Sequence, residues 1–374
     1  MTPFSFTTAP EIHLEWNGAQ RLAGMLTDRF DARRALLVTD VGLIQAGLIA
    51  PVQKSLADAG FHVEIFSDVV ADPPEDVVEA CATMARAADV DLVIGLGGGS
   101  SLDIAKLAAV MLASDQPLAQ MYGIGNVTGS RAPLVLIPTT AGTGSEVTNI
   151  SIITTGETTK MGVVSRQLYA DFVLLDAALT TALPALHTAA TGIDAMVHAI
   201  EAYTSKHKKN PMSDALAREA LRLLSGSLIT ACQDGNDRAA RENMLLGAML
   251  AGQAFSNAPV AAVHALAYPL GGHYHLPHGL TNALMLGPVL RFNAQAAAPL
   301  YAELAAVVGT TQFVDFMQDI MDASGAPRRL RDVGVTEDSL PMLAADAMKQ
   351  TRLLINNPVE VTEADALALY REAF

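Results

Sequence analysis

The chain has 374 residues, about twice the usual single-domain size, which predicts two domains. It is 51% hydrophobic but only 5% aromatic and 17% charged, with 28 glycines, a profile that excludes disorder. Its net charge of −15 repels phosphate backbones and anionic lipids, so neither nucleic acid nor a membrane surface is expected as a partner.

Reading in chain order, the N-terminal segment MTPFSFTTAPEIHLEW has neither a basic region nor an apolar core, and no signal peptide is expected. Apolar runs at 35–39, 63–66, 91–97 and 134–138 read as buried strands, with helical patterns at 77–88 and 102–112 between them. This β-α-β rhythm predicts a mainly parallel sheet. Segments 150–154 and 161–164 flank a Gly156 turn and predict a hairpin at the sheet's edge. Beyond Pro184 the pattern becomes helical, at 188–203, 212–231, 238–255, 260–271, 283–290 and 297–308. The expected division is an α/β domain over 1–185 and an all-helical domain over 186–374. The basic run Lys206–Lys209 reads as a solvated loop between helices. Cys81 and Cys232 are too few for a disulfide framework or a thiolate metal cage, and a cytoplasmic protein is expected.

Three strand ends carry polar or glycine-rich loops. Gly97-Gly98-Gly99-Ser100 follows a strand and opens a helix, the arrangement in which backbone N–H groups and a helix N-terminus receive a phosphate. It is not the G-x-G-x-x-G fingerprint: Asp40, the acid at a strand end, precedes the glycines by about 60 residues instead of following them by ~20. Asp40 reads either as an ordinary loop aspartate or as a group that binds a ribose 2′-hydroxyl and repels a 2′-phosphate. The third loop is Pro138-Thr-Thr-Ala-Gly-Thr-Gly-Ser-Glu-Val-Thr148, either a plain turn or a cradle for pyrophosphate or ribose. Together they suggest a nucleotide site in a non-standard Rossmann-like sheet.

Four of the nine histidines, His264, His273, His275 and His278, lie within fifteen residues. Asp194 and His198 are spaced i, i+4 on a helical stretch, which places both on one face. One aspartate with three histidines makes an oxygen/nitrogen site for a divalent metal. Asp194, His198, His264 and His278 form the candidate set. His264 reads as mid-helix and His278 as a helix entry. His273 and His275, in GGHYHLP, remain alternative ligands, or line the site or face solvent.

These stretches resemble the iron-containing (group III) alcohol dehydrogenases. The likeness rests on GGGSSLDIAK (97–106), PTTAGTGSEVTNISIIT (138–154), AATGIDAMVHAIEAY (189–203), VHALAYPLGGHYHLPHGLTNALML (263–286) and NPVEVTEADALALY (357–370), nearly end to end. The resemblance implies a Rossmann-like dinucleotide-binding α/β domain, an all-α metal-binding domain, and an active site in the cleft between them. It further implies a divalent metal, iron or alternatively zinc, on Asp194, His198, His264 and His278. It assigns NAD to Asp40 at the adenine ribose, Gly98, Gly99 and Ser100 at the diphosphate, Thr139, Thr140 and Thr143 in the threonine-rich loop, and Lys160 at the ribose. The implied function is reversible hydride transfer between NAD(H) and a small primary alcohol or aldehyde, in a homodimer or larger homo-oligomer. Phe255, Asn149 and Tyr268 are candidate pocket linings.

Two positions depart from the family pattern. Tyr268 stands where many members have a histidine, and a phenol with a reference pKa of ~10 is a poor proton relay near neutrality. Asp72-Pro73-Pro74 stands where Asn-Pro is common. The alternatives are a hydroxyacid-oxoacid transhydrogenase and a maleylacetate-reductase-like oxidoreductase, the latter disfavoured by the intact Asp/His/His/His set. That set also disfavours a non-catalytic nucleotide- or metal-binding protein.

Overall fold

The computed structural model describes residues 3–156 and 159–374. Two compact units divide the chain. One comprises Thr8–Thr140 and Gly144–Ala182; the other comprises Leu183–Phe374, Ala141–Thr143 and the N-terminal segment up to Thr7.

The α/β unit contains strands β1 (Ile12–Leu14), β2 (Arg34–Val38), β3 (His62–Phe66), β4 (Leu92–Gly97), β5 (Gly123–Ile124), β6 (Leu134–Pro138), β7 (Ile150–Thr155), β8 (Thr159–Val164) and β9 (Phe172–Leu175). Its helices are α1 (Leu22–Leu26), α2 (Val41–Gln45), α3 (Ala50–Asp58), α4 (Glu75–Ala87) and α5 (Gly99–Ala113). Six strands form a sheet in the order β1-β9-β6-β4-β2-β3, every pairing parallel. Strands β4 and β6 are buried along their whole length, as expected of parallel strands covered on both faces. Leu37, Ile94 and Val135 lie in register across β2, β4 and β6 and belong to the core with Phe172 and Leu174.

The four expected strands are present within a residue of their predicted limits. β1 and β9 were not expected; three and four residues are too short to display a period. The predicted hairpin exists as β7 and β8, but it is not on the edge of the main sheet. It forms a separate three-stranded sheet in the order β5-β8-β7. The sequence pattern specifies the turn, while the sheet a hairpin joins depends on remote partners.

The other unit is helical: α6 (Ala185–Thr204), α7 (Pro211–Gln233), α8 (Arg238–Asn257), α9 (Ala262–Tyr274), α10 (His278–Asn293), α11 (Ala298–Val307), α12 (Phe313–Ser324), α13 (Leu340–Ala347), α14 (Thr351–Leu354) and α15 (Glu363–Ala373). Asn210 and Asp237 cap α7 and α8 through side-chain acceptors. Among the described residues, no helix is long and apolar enough to cross a membrane.

Candidate metal centre and nucleotide loops

Three helices of the helical unit bring four ligand-type side chains together. Asp194 and His198 share one face of α6, buried at 1% and 4% exposure. His264 lies in the first turn of α9, not mid-helix as the apolar run suggested, because the helix begins only at Ala262. His278 is the first residue of α10, after Pro277. Gly279 allows this entry: a Cβ there would stand 2.7 Å from the Ala190 carbonyl oxygen of α6, so only glycine permits so close an approach.

The four ligand atoms lie within 4.8 Å of one another. Asp194 Oδ1 is 4.0, 3.9 and 3.8 Å from Nε2 of His198, His264 and His278. The Nε2 atoms of His198 and His264 are 3.0 Å apart. His273 and His275 are not in this group. His273 pairs with Asp346 at 3.1 Å, and His275 ends α9 in a left-handed conformation.

The donor set suits a divalent cation. Burial drives His198 down to about 3, against the pull of Asp194, so its imidazole is neutral with one nitrogen lone pair available. Burial alone would raise Asp194, but the three histidines and Asn282 outweigh it and hold the carboxyl below its ordinary value. Nδ1 of His198 is buried without a hydrogen bond of normal geometry, although the Gly142 backbone favours a proton there. One carboxylate oxygen and three imidazole nitrogens match ferrous iron or zinc.

In the α/β unit, the predicted nucleotide-binding residues sit at the C-terminal ends of three adjacent strands. Asp40 follows β2 and caps α2, its Oδ1 accepting from the Leu43 N–H at 3.0 Å. Gly98, Gly99 and Ser100 join β4 to α5. Thr139 and Thr140 follow β6, and the Thr139 N–H donates to the Gly97 carbonyl at 3.0 Å. A Cβ on Gly98 would lie 3.7 Å from the Thr140 side chain, so the glycine and threonine loops are neighbours. Strand order reverses beside β2, the kind of switch point where open α/β sheets bind ligands. Thr143 clusters instead with the helical unit. Lys160 lies on β8, where its ammonium pairs with Asp72. The Asp72 departure thus places a carboxylate directly on that lysine.

An iron-containing alcohol dehydrogenase model matches residues 10–177, and the C-terminal model of the Fe-containing alcohol dehydrogenase family matches residues 188–374. The chain belongs to the iron-containing alcohol dehydrogenases. It is 42% identical to long-chain-alcohol dehydrogenase 1 of Geobacillus thermodenitrificans, over 98% of this chain and 95% of that protein. A crystal structure of 1,3-propanediol oxidoreductase superposes with a TM-score of 0.94 at 34% identity, covering 100% of both chains. The sulfoacetaldehyde reductase of Bifidobacterium kashiwanohense, solved in complex with NAD+, gives 0.90 at 28% identity over 100% and 99% of the two chains. This dehydrogenase is therefore a metal-dependent, NAD-linked oxidoreductase of the alcohol/aldehyde type.

The structure of this alcohol dehydrogenase adds residues that the spacing argument missed. Glu201, one turn beyond His198 on α6, is 4% exposed. Its Oε2 accepts from His264 Nδ1 at 2.7 Å and from the Ala261 N–H at 2.9 Å, while Oε1 accepts from the Val263 N–H at 2.7 Å. One carboxylate therefore holds the start of α9 and fixes the His264 tautomer, with Nε2 turned toward the other ligands. A helical i, i+3 relation to His198 was the available signal. Phe255 stacks on His198, with ring centroids 4.3 Å apart, and packs with Val260, Ala265 and Leu353. Tyr268 belongs to the same cluster and lies 6.0 Å from the His278 ring. The third predicted pocket residue, Asn149, lies in the α/β unit, its carbonyl accepting from the Ser165 N–H.

Proposed function

We propose that this alcohol dehydrogenase transfers hydride reversibly between NAD(H) and a small primary alcohol/aldehyde pair, with Asp194, His198, His264 and His278 holding the divalent ion. The observation that carries this reading is the graded burial of the four donors. Side chains of Asp194, His198 and His264 are at most 5% exposed, whereas His278 is 31% exposed. A site closed on three sides and accessible on the fourth gives a substrate oxygen one approach. A divalent ion bound there supplies Lewis-acid polarisation of that oxygen.

The chain's own groups do the rest. Asp194 provides the single carboxylate and the three imidazoles provide nitrogen donors. Glu201 holds His264 in its donor tautomer. Phe255 shields His198 from water on its ring face, and Tyr268 shapes the side next to His278. Asp40, Gly98, Gly99, Ser100, Thr139, Thr140, Thr143 and Lys160 form the proposed NAD set, with a nucleotide-binding domain assigned to 1–185 and a catalytic domain to 186–374. Asp40 Oδ1 already caps α2, which leaves Oδ2 for a ribose diol and sets a negative charge against a 2′-phosphate. Lys160 reaches the ribose while partly neutralised by Asp72. We also read the enzyme as a cytoplasmic homo-oligomer, supported by its two cysteines, Cys81 and Cys232, forming no disulfide, and by family membership.

The test is an NADH-coupled screen of aldehydes, alcohols and diols of increasing chain length on enzyme reconstituted separately with Fe2+ and Zn2+. Relatives named for long-chain alcohols, 1,3-propanediol and sulfoacetaldehyde define its range. Turnover of short primary substrates is expected. Full activity in a chelated, metal-free preparation, or turnover confined to long-chain substrates, overturns the respective part of the reading. Asp40→Gly should relax a preference for NAD over NADP; a wild-type preference for NADP would refute the role given to Asp40.

A further inference from the structure

Thr191 lies on the same side of α6 as His198, because seven residues return a helix almost to the same face. Helical side chains lean toward the N-terminus, so the His198 ring covers the turn on the Thr191 side of its own Cα. Two glycine backbones pack against this part of α6. A Cβ on Gly142 would stand 2.8 Å from Thr191 Cβ and 3.2 Å from its Cα and carbonyl oxygen. One on Gly279, the residue after His278, would stand 2.7 Å from the Ala190 carbonyl oxygen and 3.2 Å from the Thr191 nitrogen. Gly142 is buried and belongs to Ala141–Thr143, the part of the threonine loop that clusters with the helical unit.

His198 has one nitrogen to spare. Its Nε2 faces the other ligand atoms, 3.0 Å from His264 Nε2, and an ion there takes its lone pair. The proton of the neutral ring is then on Nδ1. Nδ1 is buried and lacks a hydrogen bond of normal geometry, and the group beside it that favours a proton is the Gly142 backbone. The backbone atom able to do this is the carbonyl oxygen. A ligating histidine normally gives its second N–H to such an acceptor, which fixes the ring and raises the basicity of the ligating nitrogen. The acceptor for His198 is therefore the immediate neighbour of Thr143, a member of the proposed NAD set.

We propose that Gly142 is a positioning residue of the metal centre, its carbonyl accepting from His198 Nδ1–H, and that through it nucleotide and metal strengthen each other's binding. The inference rests on the metal and NAD readings above. A nucleotide held by Thr143 restrains Gly142, which improves the hydrogen bond and orients the ring for the ion. An ion holding the ring keeps the loop, in return, in the conformation that receives nucleotide. Linkage makes the two effects equal in size. Any side chain at position 142 would push the loop off α6, so the bond requires glycine.

The test uses ADP-ribose, which carries the pyrophosphate and both riboses of NAD but no nicotinamide, so a direct effect of that ring on the ion is removed. Calorimetry measures its affinity for apo and for cobalt-loaded, dialysed enzyme, and competition with a chromophoric chelator measures Co2+ affinity with and without it. In wild type each ligand should tighten the other by the same factor, about 5–150-fold. Gly142→Ala should bind Co2+ about 10–100-fold more weakly and lose the mutual tightening. A glycine needed only for packing would lower the unfolding midpoint and leave the coupling intact. Wild-type affinities that ignore the second ligand, or full coupling in Gly142→Ala, overturn the proposal while leaving both sites standing. If Gly142→Ala fails to fold by circular dichroism, Thr143→Val decides: it should weaken ADP-ribose binding and reduce the coupling, and full coupling overturns the proposal. Failure of wild type to bind Co2+ overturns the metal reading, failure to bind ADP-ribose overturns the NAD reading, and this inference falls with either.

Discussion

Each unit of this dehydrogenase buries a cluster of polar groups, and the two clusters are satisfied in different ways. In the α/β unit, Lys106 is completely buried, and its ammonium donates to Ser145 Oγ at 2.6 Å, the Ile150 carbonyl at 2.7 Å, Thr148 Oγ1 at 3.2 Å and Asp103 Oδ1 at 3.3 Å. Asp103 in turn accepts from Ser145 Oγ and from the Ile152 N–H. The cation has a complete shell of acceptors, and the cluster ties α5 to β7. In the helical unit, ligand atoms of Asp194 and three imidazoles converge within 4.8 Å, and the Asn282 amide nitrogen lies within hydrogen-bond distance of three of them. Burial of polar groups is common to both; the sign of the imbalance separates them. A closed set of donors and acceptors is scaffold, and a surplus of converging lone pairs is a cation site.

Mutations can break that contrast in order of expected effect. Asp194→Ala removes the only negative ligand. If a ligand carries about a quarter of a typical 10–16 kcal/mol site, divalent-ion affinity falls roughly 100- to 1,000-fold. Turnover should fall with it while circular dichroism and NAD affinity stay close to wild type. Loss of fold at unchanged metal content per folded molecule would move this cluster into the scaffold class.

Lys106→Met should do the opposite, lowering stability by about 3–5 kcal/mol because Asp103 loses its buried partner. Denaturant titration reads the loss, and the folded fraction should retain its full complement of metal. Impaired metal binding at unchanged stability would undo the distinction.

Glu146 sharpens the scaffold side. It is 2% exposed, and burial raises its carboxyl from an ordinary 4.5 to about 7, against the attraction of Lys106. Because the folded value is the higher one, the neutral carboxyl's contribution is complete below about pH 4.5 and is lost as pH rises through 7. Glu146→Gln should therefore gain stability relative to wild type on going from pH 4.5 to 8, by at most about 3 kcal/mol. Parallel stability–pH curves for the two proteins would exclude the effect.

The smallest effect belongs to Glu201→Gln. An acceptor remains for His264 Nδ1, but the negative charge and one of the two helix-start contacts weaken. Metal affinity should fall about 10–100-fold with little change in unfolding midpoint. A large stability loss with intact affinity would make Glu201 a helix cap only.

Much of this is legible in the amino-acid sequence. The parallel strands declared themselves through continuous apolar runs such as LVIGLG, and α6 through α8 through their 3.6-residue period. Asp194 and His198 were legible because four residues return a helix to the same face. Lys160 and Thr143 were assigned by likeness to a family, and nothing local shows that one pairs with Asp72 and the other clusters with the helical unit. Glu201 lay in the same helix as two candidate ligands, yet a glutamate in HAIEAY looks like any solvated helical acid until the start of α9 is seen beside it. Asn282 gave no sign at all, since an asparagine in an apolar helix acquires a meaning only from what its amide faces.

The sequence by itself determined the longer strands and helices, since periodicity and turn chemistry act over a few residues, whereas β1 and β9 are too short to show a period. It also determined the chemical types available for a metal site. The tertiary structure alone decided that positions 194, 198, 264 and 278 meet, that the hairpin forms its own sheet, and which buried polar groups are left with lone pairs to offer. Those outcomes depend on contacts between residues distant in the chain. Hydrogen-bond satisfaction is settled within a few ångströms, and no local pattern records which remote atoms will occupy them.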